Sequence, residues 1–186
     1  MRNYVLKKIC DCTIEQQMRI LTIRNSQSVR KSMYTEHIIG VNEHLQWIDG
    51  LKADSQRQIF VILKNSDLAV GVVGLSQIDF LHKKCDWAFY LDIEERGGVG
   101  SALELFMIDY VFGALGIEKL NCEVLESNQL VVEMHKKFGF CEEGFRRQNI
   151  EKNGSRIGVH LLGLVKSDWQ LISENVRGDI AHKVKD

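Results

Sequence analysis

The spacing of hydrophobic residues changes several times along the chain between the period of a strand and that of a helix. Residues 3–9 have strand character, and Thr13 then stands at a helix N-cap position before apolar residues at helical spacing. A short helix is predicted over Val29–Met33, and a second amphipathic helix is predicted to begin near Asn42. The first third of the chain is therefore predicted to form a strand followed by helices.

The rest of the chain alternates between the same two periods. Strands are predicted over 59–63, 68–78 and 85–91, with a turn at 65–67, and a buried helix begins at Ser101. The later predicted elements are strand 120–125, helix 129–138 and strands 140–150 and 157–165. This order predicts an α/β domain whose central sheet is mixed and mostly antiparallel, is flanked by helices and contains one parallel crossover.

Length and local composition indicate how this fold is divided. A chain of 186 residues without linker-like or repeated sequence is typical of one domain, which we assign to residues 1–172. Residues 173–186 are polar and lack sustained apolar periodicity. They are predicted to form a polar C-terminal tail.

Charge and cysteine content exclude several classes of partner and site. With 24 basic and 25 acidic residues the net charge is -1, so no broad attraction to nucleic acid or to an anionic membrane is expected. No apolar run approaches the ~20 residues that span a bilayer. The five cysteines have no zinc-ligand spacing, so we predict no metal. Their odd number, and a start without an apolar signal core, predict a cytoplasmic protein.

The segment from Tyr90 to Leu103, YLDIEERGGVGSAL, carries the first candidate site. A predicted strand ends in a glycine turn that leads directly into a helix. Glycines let backbone N–H groups approach an anion, and the helix N-terminus adds its positive dipole. The segment lacks the Lys-Ser/Thr of a P-loop and the GxGxxG spacing of a dinucleotide fold. It is either a phosphate cradle or a tight turn between a strand and a helix.

A second segment, from Asn128 to Phe140, extends this pattern. The two segments together resemble the GNAT superfamily of N-acetyltransferases, with its acyl-CoA motif Q/R-x-x-G-x-G/A and a following helix N-x-x-A-x-x-x-Y-x-x-x-G-F. Gly98 and Gly100 match the motif glycines, Asn128 matches the asparagine, and Gly139 with Phe140 match the closing pair. The resemblance implies a single-domain GNAT fold and acetyl-CoA as co-substrate.

The resemblance also implies roles for individual residues. The end of the strand near Leu91 and Ile93 would pair with the pantetheine amides, and the thioester would lie where the strand before Asn128 diverges from its neighbour. The residues implied in cofactor binding are Leu91, Ile93, Arg96, Gly97, Gly98, Val99, Gly100, Ser101 and Asn128. Glu95 stands at the first motif position, unless the loop is one residue shorter and Arg96 takes that place. His135 occupies the usual tyrosine position and is the implied proton donor to the departing thiolate.

The N-terminal half indicates an acceptor. Its Arg-Asn pair and its HLQWI run are similar to acetyltransferases that modify the 4-amino group of a UDP-linked 4-amino-4,6-dideoxy sugar in pseudaminic acid biosynthesis. The residues implied in substrate binding are Arg24, His44, Trp47, Ser76, Gln77 and Tyr90. From the residues alone, Arg24 is a diphosphate ligand or a surface ion-pair residue. His44 and Trp47 are equally open to a role in the core.

The sequence therefore predicts an acetyl-CoA-dependent N-acetyltransferase that acts on a nucleotide-sugar amine by direct attack on the thioester. Two alternatives stay open, namely a ribosomal-protein or peptide N-terminal acetyltransferase and a non-catalytic acyl-CoA-binding module. Asp86, Glu126 and His82 are candidate general bases, unless the amine binds neutral. The expected partner is a small molecule rather than nucleic acid or membrane, and a homodimer is left open.

Overall fold

The computed structural model describes residues 3–95 and 98–183. The strands are β1 (Tyr4–Lys8), β2 (Gln58–Lys64), β3 (Leu68–Asp79), β4 (Lys84–Leu91), β5 (Lys119–Leu125), β6 (Cys141–Lys152) and β7 (Ser155–Val165). The helices are α1 (Ile14–Asn25), α2 (Gln27–Arg30), α3 (Val41–Leu51), α4 (Val99–Asp109), α5 (Gln129–Lys137) and α6 (Lys166–Lys183). A 3-10 turn covers Ile9–Asp11, and a π-helical turn, Tyr110–Ala114, follows α4. None of the described helices is both long and apolar enough to cross a bilayer.

The strands form one seven-stranded sheet in the order β1-β2-β3-β4-β5-β7-β6. β1 pairs with β2 and β2 with β3 in antiparallel register, and β7 pairs antiparallel with both β5 and β6. β4 and β5 are parallel, with Lys84, Cys85 and Asp86 opposite Lys119, Leu120 and Asn121. The predicted mixed, mostly antiparallel sheet with a parallel crossover is confirmed.

The chain divides into two compact units, Met1–Ile78 with Trp87–Glu95, and Asp79–Asp86 with Arg96–Asp186. In the first unit, buried residues of α1, α3, β2 and β3 form one apolar cluster that includes Ile20, Ile48 and Val61. In the second unit, fully buried apolar side chains come from α4, β5 and β7 and include Leu103 and Leu120. Each such side chain contributes about 1.5–3 kcal/mol on burial. Each unit therefore has its own core.

Hydrogen bonds at the start of α1 explain why this helix was predictable. The Thr13 hydroxyl accepts from the Gln16 amide at 3.2 Å, and the Gln16 side chain accepts from the Thr13 amide at 3.1 Å. Such a reciprocal pair satisfies N–H groups that a helix end otherwise leaves open. The short second helix begins earlier than predicted, because Ser26 accepts from the Val29 amide at 3.4 Å and caps Gln27–Arg30.

The residues predicted to form a polar C-terminal tail are helical as far as residue 183. Helix α6 begins at Lys166 and continues across the predicted boundary at residue 172 to Lys183. Trp169 is only 4% exposed, and Arg177 bonds to Asp109 at 2.5 Å while its guanidinium lies 5.9 Å from the Trp169 ring. A few side chains hold this helix in place, and the rest of its sequence is polar. It therefore lacks the continuous apolar stripe by which an amphipathic helix is recognised in a sequence.

Candidate active site

The glycine turn leads into α4 as the sequence predicts. Gly98 is the N-cap of α4 and has φ = 95°, a left-handed conformation that favours glycine. A Cβ atom at this position would meet nothing within 4 Å, so the backbone is open on that side. The first bond of the helix runs from the Ala102 amide to the Gly98 oxygen at 3.0 Å. The amides of Val99, Gly100 and Ser101 therefore lack acceptors within the helix and suit an anion such as a pyrophosphate.

The residues just before this turn are fastened within the first unit. Arg96 and Gly97, both predicted to bind the cofactor, lie outside the described residues. The side chain of Glu95 is 8% exposed and accepts from the Tyr4 hydroxyl at 2.6 Å and from Lys64 at 2.8 Å. Burial opposes its charge, but these two donors outweigh burial and lower the pKa of Glu95. Its carboxylate is thus committed to anchoring the chain before the glycine turn.

The end of β4, predicted to pair with pantetheine, lies tightly against β3. A Cβ atom at Gly71 would collide with the backbone oxygen of Tyr90 and lie 3.1 Å from Cα of Leu91. The Asp92 amide donates to the Val70 oxygen at 2.7 Å, and beyond it the Ile93 side chain is exposed. The backbone of this strand end is therefore fixed closely by β3. Gly71 was not singled out from the sequence, where a glycine inside a strand was its only signal.

Asn128 caps α5 through its backbone, and its side chain makes no cap hydrogen bond. At the other end of α5, Gly139 has φ = 86°, and the Phe140 amide donates to the His135 oxygen at 3.2 Å. This turn places the Phe140 ring 5.2 Å from the imidazole of His135. The Gly-Phe pair of the motif therefore ends the helix and packs against the candidate proton donor.

His135 is 3% exposed and contacts Glu104, a residue of α4 that is fully buried. The two atoms Nδ1 of His135 and Oε1 of Glu104 are 2.7 Å apart. Burial raises the pKa of the Glu104 carboxyl, and the hydrogen bond to His135 offsets only part of this effect. Sequence reasoning missed Glu104, although a charged residue in a helix predicted to be buried is a signal that a partner is required.

Arg24 and Tyr90 form a second cluster, in the first unit. Nη2 of Arg24 donates to the Thr35 hydroxyl at 3.3 Å, whereas Nη1 is buried without a hydrogen-bond partner. Burial lowers the pKa of Arg24, but a guanidinium stays charged at neutral pH. Burial also raises the pKa of Tyr90, with the charge of Arg24 acting in the opposite direction. The guanidinium of Arg24 is therefore a cation with one buried donor, Nη1, that has no hydrogen-bond partner.

His44 and Trp47, both predicted to bind substrate, contribute to the core of the first unit. His44 is 4% exposed, its Nε2 donates to the Gln17 oxygen at 3.0 Å, and burial lowers its pKa. Trp47 packs against the buried cluster, and its ring lies 5.7 Å from that of His44. Both side chains stabilise the α1–α3 packing. The geometry supports the core alternative for them.

The remaining candidates are less constrained. Ser76 is half-buried on β3, and the next residue, Gln77, is exposed with φ = 51°. Of the candidate bases, Asp86 accepts from the Asn121 amide at 3.1 Å, while Glu126 and His82 are exposed. Across residues 3–95 and 98–183, no cluster of three or more His, Cys, Asp and Glu side chains could hold a metal ion.

Comparison with known proteins connects these features to a family. The model of the Acetyltransferase (GNAT) domain family matches residues 15–161. Acetyltransferase PseH of Campylobacter jejuni is 25% identical over 135 residues, which cover 73% of this chain and 83% of that protein. Spermidine N(1)-acetyltransferase of Vibrio cholerae is 22% identical over 156 residues, which cover 83% of this chain and 90% of that protein.

A solved structure has the same fold. The crystal structure of spermidine N-acetyltransferase from Vibrio cholerae in complex with CoA and spermine matches with a TM-score of 0.83 at 20% identity. The match covers 91% of this chain and 99% of that one. Together with the family match over most of the chain, this establishes that the chain belongs to the GNAT acetyltransferase family and is an N-acetyltransferase whose co-substrate is acetyl-CoA.

Proposed function

We propose that the acceptor is the 4-amino group of a UDP-linked 4-amino-4,6-dideoxy sugar, as in pseudaminic acid biosynthesis. The observation that carries this proposal is the buried Nη1 of Arg24, a charged donor without a hydrogen-bond partner. Leaving such a group unpaired costs about 1–3 kcal/mol or more, which an oxygen of a bound ligand would recover. A diphosphate supplies anionic oxygens in the geometry that a guanidinium fork prefers.

Two further observations support a sugar nucleotide. The N-terminal Arg-Asn and HLQWI patterns resemble those of the sugar acetyltransferases, and the similarity to Acetyltransferase PseH covers 73% of the chain. Tyr90 lies near enough to Arg24 for the cation to influence its phenol, and we place its ring beside the same ligand, stacked against a uracil or a deoxysugar face.

A polyamine is the second candidate acceptor, favoured by the similarity to spermidine N(1)-acetyltransferase of Vibrio cholerae. Polyamines are polycations and require carboxylates around them. Among the described residues, Glu43 is an acidic group that influences Arg24, and its carboxylate already accepts from His37 at 2.9 Å. Arg24 and Arg30 lie close enough to influence each other, which disfavours a third cation beside them. The charge distribution therefore supports the sugar nucleotide over the polyamine.

For the donor we propose the arrangement that the resemblance implies. Backbone groups of Leu91 and Ile93 pair with pantetheine, and the amides of 98–101 hold the pyrophosphate, with Asn128 at the start of α5 as a further contact. Arg96 and Gly97 stay predicted contacts of the same pyrophosphate. The neutral amine attacks the thioester carbonyl, so catalysis is mainly positioning and stabilisation of the oxyanion and the thiolate. His135 donates a proton to the departing sulfur. A homodimer stays a prediction.

A substrate panel tests the acceptor. Release of free thiol from acetyl-CoA is measured with UDP-4-amino-4,6-dideoxy sugars, spermidine and short peptides at equal concentration, and each product is identified by mass spectrometry. We expect turnover of the UDP-amino sugar to exceed that of the other two classes. Efficient turnover of spermidine or peptides together with none of any UDP-amino sugar would overturn the proposal, and no turnover of any amine would favour the acyl-CoA-binding module.

The Arg24→Gln variant tests the residue that carries the proposal. Loss of a charged hydrogen bond to the ligand is worth about 1.5–3 kcal/mol, so KM for the UDP-amino sugar should rise at least about tenfold. Affinity for acetyl-CoA should stay unchanged. Arg57→Gln is the matched control, because Arg57 pairs with Asp54 in the turn before β2 and should leave KM unaltered. Equal KM values for the two variants would remove Arg24 from the site.

A further inference from the structure

The buried contact between Glu104 and His135 joins α4, which begins at the glycine turn, to α5, which carries the candidate proton donor. The side chains are 0% and 4% exposed, and 2.7 Å separates Oε1 of Glu104 from Nδ1 of His135. Leu103 and Met107 on α4 and Val132 on α5 are buried like the pair, and the ring of Phe140 lies 5.2 Å from the imidazole. A hydrogen bond of this length in such surroundings fixes the orientation of the imidazole.

Charge balance determines how protons are distributed over this pair. The second carboxylate oxygen of Glu104, Oε2, is buried without a hydrogen-bond partner. An ionised carboxylate beside a neutral imidazole would leave a net charge in this apolar region, at a cost of several kcal/mol. The pair is therefore most stable with two protons. One is shared between Oε1 of Glu104 and Nδ1 of His135, and the other is on Nε2 of His135. In that state the net charge is zero, whichever of the two atoms holds the shared proton.

Packing alone does not explain the pair. Apolar side chains of similar volume often give equal or greater stability than a buried pair of ionisable groups. Since Nδ1 is committed to Glu104, any proton that His135 gives away must leave from Nε2. The carboxyl group thus selects the tautomer that has a proton at Nε2, in the same way that partners of catalytic or metal-binding histidines select theirs.

We propose that Glu104 is a positioning residue that holds His135 as an Nε2 proton donor and supplies the proton that replaces the one transferred. The inference rests on the proposed role of His135. As the tetrahedral intermediate collapses, the C–S bond breaks and its electron pair moves to sulfur. The Nε2 proton of His135 transfers to that sulfur and gives CoA thiol. The shared proton settles on Nδ1 and leaves Glu104 as a carboxylate beside a neutral imidazole. The pair then regains one proton from solvent, which balances the proton that the amide nitrogen releases.

The first test needs no substrate. Long-range ¹⁵N–¹H NMR of the imidazole nitrogens reports which ring nitrogen carries a proton. In the wild type we expect His135 to show a protonated Nε2 at neutral pH, and in Glu104→Leu a mixture of the two tautomers. An unprotonated Nε2 in the wild type, or an unchanged spectrum in Glu104→Leu, would overturn the proposal.

The second test uses kinetics with the UDP-amino sugar. Glu104→Leu should lower kcat at least tenfold while both KM values change less than twofold. Glu104→Gln keeps a hydrogen bond but cannot pass on a proton, so its kcat should lie between those of the wild type and Glu104→Leu. In a His135→Tyr background, Glu104→Leu should change kcat less than twofold, because a phenol carries its own proton. Equal tenfold losses in both backgrounds, with normal melting temperatures, would show that Glu104 acts independently of His135.

The two tests separate two kinds of failure. If the wild type acetylates no UDP-amino sugar, the proposed acceptor is wrong, yet the NMR result still decides whether Glu104 sets the tautomer of His135. If turnover is normal and the NMR spectra of the wild type and Glu104→Leu coincide, the acceptor proposal stands and the positioning role is lost.

Discussion

The glycine turn with α4 and the α1–α3 helices with the end of β4 differ in what builds their candidate sites. At the glycine turn the chemistry lies in the backbone, with Gly98 in a left-handed conformation and amides of the first turn open. In the helical region the candidate chemistry lies in side chains such as Arg24. The N-terminal motif that contains Arg24 also contributes residues to the core, of which His44 is one. A motif built from backbone requirements can be located from the spacing of its glycines, whereas a motif of side chains mixes candidates for binding with residues of the core.

One side chain of the second unit, which contains Gly98 and α4, is an exception to this contrast. His135 is the side chain on which the donor chemistry is proposed to depend, and His135→Phe should lower kcat by about 10²-fold or more. His135→Tyr should retain most of the activity, because tyrosine is the usual residue at this position. Both are measured by thiol release at saturating acetyl-CoA, with calorimetric CoA affinity in parallel.

His135→Phe also leaves Glu104 buried without its partner, so the Glu104→Leu/His135→Phe double variant is the control for misfolding. We expect its kcat to equal that of His135→Phe, since Glu104 acts through the imidazole. A kcat within twofold of wild type in folded His135→Phe would mean that the thiolate departs unaided and that the donor side depends on backbone alone.

Substitutions at the two motif glycines test the candidate site that is built from backbone amides. Replacing Gly98 and Gly100 together by valine should weaken acetyl-CoA binding at least tenfold, about 1.4 kcal/mol. Side chains there obstruct the approach of the pyrophosphate, and Gly98 has a φ of 95° that valine resists. Calorimetry measures the affinity, and Gly113→Val, a helical-turn glycine with open space around its Cβ position, controls for general strain. An unaltered affinity in a folded double variant would contradict the site.

The smallest effect is expected at His44, where the comparison predicts a role in stability rather than in binding. His44→Gln should keep kcat and both KM values within about twofold. Because burial lowers the pKa of His44, the unfolded state binds the proton more readily, and stability is lost as pH falls below the ordinary value near 6.5. The wild-type free energy of unfolding should decline from pH 7 to pH 5, and the His44→Gln variant should decline less.

Urea unfolding at several pH values measures this difference. The slope contributed by one histidine is at most about 1.4 kcal/mol per pH unit. Parallel pH dependences in the two proteins, or a KM for the UDP-amino sugar raised tenfold by His44→Gln, would return His44 to the binding site.

The sheet and the helices α1, α3, α4 and α5 were predictable because their signals are local. Thr13 and the glycine turn mark helix starts, and changes of apolar period mark the strands. The continuation of α6 was not predictable, because Trp169, Arg177 and Asp109 stabilise it through contacts that no periodicity records. Local signals thus predict elements, and contacts distant in sequence decide where an element ends.

The same distinction applies to the candidate sites. Gly98 and Asn128 lie at helix starts, where the motif requires them. Glu95 matches a motif position by count, yet its carboxylate pairs with Tyr4, 91 residues earlier in the chain. Glu104 has no motif, and its importance depends on a partner 31 residues away. Such pairings depend on which segments the fold brings together.

Tyr4 and Glu95 are in contact but lie 91 residues apart, so they leave the ribosome at different times during synthesis. β1 leaves the ribosome before Glu95, and at about 5–20 residues per second the 91 residues that separate the two partners take about 5–18 s to follow. Lys64, the other donor to Glu95, lies opposite Tyr4 in the β1–β2 ladder and emerges before Glu95 does. The nascent chain can therefore pair β1 with β2 before Glu95, the residue that anchors the glycine turn, leaves the ribosome.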